Sequence, residues 1–388
     1  MIKTNKTILS SLLALQLVSL SVNAQSLPSS MTKKVEKETQ STPASHLAFD
    51  IDVLTSRYSS WGVDPANTKS SINLLNAWKS FKKKKDIIVA VIDTGIDATH
   101  PFLFKNIHTF EGKPSPVNYG VDFSQGKVKK SEPIDDHGHG THVSGIIKSI
   151  YPDVKLVALK YYNPKASGQE NLNSTIQALK YAVDHNVDVI NYSGGGPEPA
   201  LEELRILKEA ESKGILIVAA AGNEESNIDV KQNAYYPASY GLKNIITVTA
   251  HDQDLKLLPS SNYGASSVDI TAPGYRIRSS LPNSRSGYLT GTSQATAFVT
   301  GVAAMLMSEY PELSITEIKD AIKNSARSEL TLSNKCSSGG RLDATRAQEV
   351  ALSILQSKGL KRSLANTTKV SKKSKKKIGQ IVYRRKAK

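Results

Sequence analysis

Residues 86–95 read Asp86-Ile87-Ile88-Val89-Ala90-Val91-Ile92-Asp93-Thr94-Gly95. From Ile87 to Ile92 every side chain is apolar and most are β-branched, without the alternation of a strand that has one wet face. Such a run must be covered on both sides, which is the condition of a strand inside a parallel sheet. It empties into Asp-Thr-Gly, a loop. Working outward, Lys155–Lys160 (KLVALK), Val187–Asn191 (VDVIN), Ile215–Ala221 (ILIVAAA) and Asn244–Ala250 (NIITVTA) repeat the pattern. Between them lie helical periodicities. Asn173 to His185 places Ile176, Leu179, Ala182 and Val183 on one face, and Ala200 to Lys213 does the same with Leu204, Leu207 and Ala210. Strands alternating with helices predict an α/β fold, a parallel sheet with helices on both faces. Two late helices, Ser293–Glu309 and Ser314–Ala326, and a short one near Asp343–Ser357 complete the expected elements.

Composition removes several function classes. The 388 residues hold one cysteine, Cys336, so no intramolecular disulfide and no cysteine-based zinc site is available. The net charge of +15 suggests a polyanion partner until it is located: Lys361 to Lys388 carries 12 Lys/Arg and no acid, leaving +3 for the remainder. The fold itself therefore gives no reason to infer nucleic-acid binding. At the other end, Lys3 and Lys6 precede an apolar run from Ile8 to Val22, followed by Val22-Asn23-Ala24. These are the three parts of a secretory signal peptide, residues 1–24, with cleavage expected after Ala24. A membrane anchor is the competing reading. Ser10, Ser11, Gln16, Ser19 and Ser21 interrupt the run, which is shorter than the roughly 20 residues a span needs. Residues 25–57 are polar and read as a linker or short pro-segment, 58–357 as the folded domain, and 358–388 as a basic, disordered tail.

The chemistry gathers at three places. Asp93 ends a buried strand, where functional loops of parallel sheets converge; taken alone, an Asx-turn explains it as well. Asp135-Asp136-His137-Gly138-His139-Gly140-Thr141-His142 begins a small-residue helix. One reading makes His137, His139 and His142 zinc ligands, as in the HxHxDH pattern of the metallo-β-lactamase type, but Thr141 stands where that pattern needs a carboxylate. The other makes His139 a general base projecting from glycine turns. Gly291-Thr292-Ser293-Gln294-Ala295 sets a serine at the start of another helix, where an N-cap is the plain explanation and a nucleophile favoured by orphan N–H groups the functional one. Asp, His and Ser at three such sites favour nucleophilic catalysis, and Asn223 after the Ile215 strand adds a side-chain donor able to serve an oxyanion. Zinc accounts for neither Asn223 nor Ser293.

VIDTG around Asp93, HGTHVSG around His139, AAAGN around Asn223 and GTSQATA around Ser293 resemble the subtilisin-like serine peptidases over roughly Tyr58 to Ser357. The resemblance implies a three-layer subtilisin-like architecture and a secreted or periplasmic serine endopeptidase acting through an acyl-enzyme. It makes Ser293 the nucleophile, His139 the base, Asp93 its orienter, and Asn223 with the Ser293 N–H the oxyanion hole. Ser193, Gly194 and Gly195 match the strand that pairs with an extended peptide. Gly222, Glu224 and Tyr235 fall around the main specificity pocket. Tyr235 stands where the family often has Gly, so small or medium side chains are expected before the scissile bond.

The sequence also departs from that family. Gln294, Ala297 and Phe298 replace the usual Met, Pro and His after the serine, and residues 25–57 are too few for a self-folding prodomain. Many members bind calcium through an Asp shortly after the catalytic one and a loop interrupting the helix after the histidine. The first position is Phe102, and His142–Ile150 runs through Tyr151-Pro152-Asp153 straight into the Lys155 strand. No metal and no cofactor are expected. The expected partners are a peptide or protein substrate and, for the tail, anionic surfaces, with the body a monomer. The alternatives in other classes are a non-catalytic peptide-binding relative and a His-cluster metallohydrolase.

Overall fold

A computed structural model describes residues 49–126 and 131–360. The signal peptide, most of the pro-segment and the tail from 361 onward lie outside the described residues. In chain order the elements are α1 (Asp52–Thr55), α2 (Leu74–Ser80), β1 (Ile88–Asp93), β2 (Gly120–Asp122), α3 (His139–Ile150) and β3 (Lys155–Lys160). There follow α4 (Gly168–Asp184), β4 (Val189–Tyr192), α5 (Leu201–Ser212), β5 (Leu216–Ala220), β6 (Ile245–His251) and β7 (Ile270–Pro273). A hairpin of β8 (Ile277–Leu281) and β9 (Arg285–Leu289), α6 (Thr292–Glu309), α7 (Ile315–Asn324), β10 (Arg327–Ser328) and β11 (Gly340–Arg341) come next. A last helix, α8, covers 344–360.

Nine strands form one sheet in the order β10-β11-β7-β6-β5-β4-β1-β3-β2, parallel except for β10 against β11. Alternate residues of each strand face opposite layers. Val89 and Val91 of β1 join the core under α3, α6 and α8, whereas Ala90 and Ile92 join the core under α4 and α5. This is the expected α/β architecture, and its reason is the expected one: strands without a polar face need cover on both sides.

The chain leaves β1 toward β2 and β3 on one side, then returns to place β4 on the other. The carboxyl ends of β1 and β4 therefore flank the switch point of the sheet, where a crevice opens. Two helices bring their N-termini to this edge. α6 is buried almost all round because its side chains are small, and it packs so closely on α3 that a Cβ on Gly301 would meet Ile150 at 2.7 Å.

The bounds of several elements differ from the sequence reading. α4 starts at Gly168 rather than Asn173, because Ser167 and Glu170 form a reciprocal capping box that adds a turn. The folded domain begins before Tyr58: Leu54 is buried in the main core, and Phe49 packs its ring against Trp78, Phe81 and Tyr151. α8 continues to residue 360, past the expected Ser357.

Candidate active site

The Asp-Thr-Gly loop brings Asp93 to the carboxyl end of β1, where the residue is 2% exposed. Its Oδ1 accepts the Thr94 amide at 2.7 Å and lies 2.7 Å from His139 Nδ1. His139 is the first residue of α3 and follows Gly138, whose φ of +96° is left-handed. Glycine at position 140 lets the helix approach β1, since a Cβ there would meet the Gly95 carbonyl at 2.1 Å. Burial disfavours the His139 imidazolium, but the charge and hydrogen bond of Asp93, joined by the charge of Asp135, outweigh it and hold the pKa above the ordinary 6.5.

The other two histidines do different work. His142 is fully buried, with Nε2 within hydrogen-bond reach of the carbonyls of Ile277 (2.9 Å) and Gly287 (3.3 Å); burial pushes its pKa down to about 3. It ties the β8–β9 hairpin to α3 as a neutral ring. His137 is exposed, its ring 6.3 Å from that of His139. With one ring committed to Asp93 and another to backbone, the three do not converge. No group of three or more His, Cys, Asp or Glu able to hold a metal exists among the described residues, which removes the footing of the zinc reading.

Ser293 lies in the first turn of α6, 8% exposed, where unpaired N–H groups and the helix dipole favour negative charge. Its hydroxyl donates to the Ser193 carbonyl at 3.1 Å. Asn223 follows β5. Its Oδ1 accepts both the amide (3.0 Å) and the hydroxyl (3.2 Å) of Thr292, so the carboxamide is oriented by two donors and its NH₂ remains the donating end.

The predicted groove residues come together. Ser193, Gly194 and Gly195 continue beyond β4, which α6 holds through Thr300 Oγ1 donating to Asn191 Oδ1 at 2.8 Å. Gly196 and Tyr236 exchange backbone hydrogen bonds of 3.0 and 2.7 Å, which join the segment after β4 to the one around Tyr235. The Tyr235 ring packs against both glycines: a Cβ on Gly195 would meet it at 2.5 Å, and one on Gly222 at 3.0 Å. Glu224 lies at the exposed rim, its Oε2 accepting from Asn262 Nδ2 at 2.6 Å. Gln294 is buried beside the serine, and its Nε2 has no protein partner among the described residues.

Sequence reasoning assigned no role to Asp135, Thr94 or Asn262. Asp135 is buried and accepts hydrogen bonds from Thr94, Gly138 and Thr141 around the His139 turn. Its only sequence signal was a carboxylate a few residues ahead of a helix whose N-cap is glycine. The calcium position of the resembled family does not fit an ion. The Lys148 ammonium sits 4.6 Å from the Phe102 ring centroid and donates to the Phe102 carbonyl, and α3 runs unbroken to Ile150.

A carboxylate-bound imidazole at the start of α3, and a serine at the start of α6 next to a residue that orients the Asn223 carboxamide, are groups of the kind acyl transfer uses. Comparison with known proteins agrees. The Subtilase family (Peptidase_S8) model matches residues 84–349, and the chain belongs to that family. It is 33% identical over 292 residues to M-protease of Shouchella clausii (strain KSM-K16), covering 73% of this chain and 68% of that one. It is 35% identical over 249 residues to Subtilisin Savinase of Lederbergia lenta, covering 62% and 83% respectively. Over 245 residues it is 35% identical to the major intracellular serine protease of Bacillus subtilis (strain 168), covering 61% and 72%. The protein is a serine-type endopeptidase whose substrate is a peptide chain. Among the described residues, no helix is long and apolar enough to cross a membrane.

Proposed function

We propose that the protein is secreted through its 1–24 signal segment and hydrolyses peptide bonds by way of an acyl-enzyme on Ser293. The observation that carries this reading is the 2.7 Å contact between His139 Nδ1 and Asp93 Oδ1, both groups buried at the sheet's switch point. With Nδ1–H donated to Asp93, Nε2 is left as the lone-pair nitrogen, which is the tautomer a general base requires.

A substrate in extended conformation pairs with Ser193–Gly195 by strand addition. Competing for the Ser193 carbonyl, it releases the Ser293 hydroxyl, whose proton passes to His139 Nε2 as Oγ bonds to the scissile carbonyl carbon; contacts of this kind commonly tighten only with substrate present. The carbonyl oxygen takes the electron pair and is met by the Asn223 NH₂ and the Ser293 N–H. His139 then gives its proton to the departing amine as the C–N bond breaks. Water repeats the sequence on the acyl-enzyme, restoring Ser293.

Specificity follows from Tyr235. Its ring fills the slot between Gly195 and Gly222, which favours small or medium residues before the scissile bond, and Glu224 at the rim tolerates some Lys or Arg. The basic tail 361–388 is read as an anionic-surface binder: its deletion leaves kcat/KM on a short neutral peptide unchanged and weakens salt-sensitive retention on heparin.

The test is Ser293→Ala with the fold verified by circular dichroism. Peptide hydrolysis falls to background if the reading holds, and retention of more than a few per cent of turnover contradicts it.

A further inference from the structure

We propose that Asp135 is a positioning residue for the His139–Asp93 pair, a second buried carboxylate that sets the turn in front of the histidine and faces its imidazolium. The inference rests on the triad reading above and goes beyond it.

Asp135 is 5% exposed and both its oxygens are fully engaged. Oδ1 accepts the Thr94 hydroxyl (2.8 Å), the Gly138 amide (2.7 Å) and the His137 amide (3.2 Å), while Oδ2 accepts the amide (2.8 Å) and hydroxyl (2.6 Å) of Thr141. All these donors are neutral. They suffice to keep the carboxyl below its ordinary range against the burial that opposes ionisation. The glycine N-cap of α3 offers no side chain, so Asp135 caps the helix from three residues upstream, at the end where the dipole favours an anion.

A cap alone would not need Thr94, and Thr94 is what joins the two carboxylates. Its hydroxyl donates to Asp135 while accepting the Gly140 amide at 2.9 Å, and its own amide donates to Asp93 Oδ1 at 2.7 Å. One residue thus locks the end of β1 to the start of α3. The His139 ring, between Gly138 and Gly140, inherits its place from both neighbours. Among the described residues, the charged and titratable groups that interact with His139 are Asp93 from β1, Asp135 from the preceding loop, the His137 ring, and the buried, neutral His142 ring one turn along α3. When the imidazolium forms in the transition state, both carboxylates favour it.

The experiment is Asp135→Asn in the full chain, with kcat, KM and the pH dependence of kcat/KM measured and the melting temperature as a control. The amide cannot accept at both positions and carries no charge. We expect kcat to fall about 10-fold or more with KM within about twofold, as loss of alignment implies. The acid limb should move to lower pH. A lowered melting temperature with wild-type kcat and acid limb shows a mere helix cap and overturns the proposal. Should Asp135→Asn not fold, Thr94→Val decides: it keeps the Asp135 charge and cuts the link, so kcat falls while the acid limb stays, and wild-type kcat overturns the proposal. If the wild-type enzyme itself is not labelled at Ser293 by a fluorophosphonate, the triad reading fails instead, and the two failures are distinct.

Discussion

Asn223 Oδ1 accepts the main-chain amide of Thr292 at 3.0 Å, one residue before Ser293. A carboxamide whose oxygen is held by a backbone donor keeps its NH₂ end for donation, so on the proposed reading it meets the oxyanion without reorganisation. Asn223→Ala should therefore lower kcat by roughly 10²–10³ with little change in KM. Steady-state kinetics on a peptide amide checks this, and an intact kcat would mean that the oxyanion is bound elsewhere.

Activity should rise with pH through the titration of His139, because only the neutral ring accepts the serine proton. Burial lowers its pKa, but Asp93 and Asp135 more than compensate, placing the midpoint above 6.5. His137 lies near the same ring, and partial desolvation of its imidazole, joined by the charge of His139, lowers its pKa from the ordinary value. A kcat/KM profile with its acid limb centred below pH 6 would contradict the assigned electrostatics.

The Tyr235 ring lies against both Gly195 and Gly222, and the proposed specificity rests on that contact. A peptide library should be cut chiefly after small or medium residues. Tyr235→Gly should raise kcat/KM after Phe or Leu by about 10-fold or more, the order expected when several methylene-sized volumes open. Wild-type cleavage chiefly after Phe, Tyr or Leu would show that the ring swings out of the slot.

Calcium should add no stability. An ion bound at about 100 times its Kd contributes roughly 2.7 kcal/mol, about 5 °C or more for a domain of this size. With Phe102 in place of a ligand and the Lys148 ammonium on its ring and carbonyl, we expect melting temperatures in millimolar Ca²⁺ and in chelator within about 2 °C of each other. A gap of 5 °C would reveal a site formed by other residues.

The fold was legible in the sequence where a two-sided buried strand is a long apolar run, and not at β7, whose four buried residues Ile270–Pro273 include a Thr and end in Pro. The β3 bounds Lys155–Lys160 coincide with the expectation, and β1, β5 and β6 differ by a residue or two, because an apolar run ends where cover ends. The early start of α4 was also readable, in the Ser-x-x-Glu of residues 167–170, and was masked by the polar first turn. β2 and the β8–β9 hairpin carry no such signature, since strands of three to five partly exposed residues look like loops. In the site, spacing identified the residues at helix starts and strand ends. It could not identify Asp135, whose role depends on Thr94 lying 41 positions away in sequence and 2.8 Å away in space.

The central claim is that Ser293 is an activated nucleophile. Treatment with a fluorophosphonate followed by peptide mapping tests it most directly, since an ordinary hydroxyl does not react. The account predicts one adduct per chain, on Ser293, formed equally with and without chelator, and abolished by Ser293→Ala. An unlabelled active enzyme, or one inhibited by chelator and indifferent to the reagent, would contradict it.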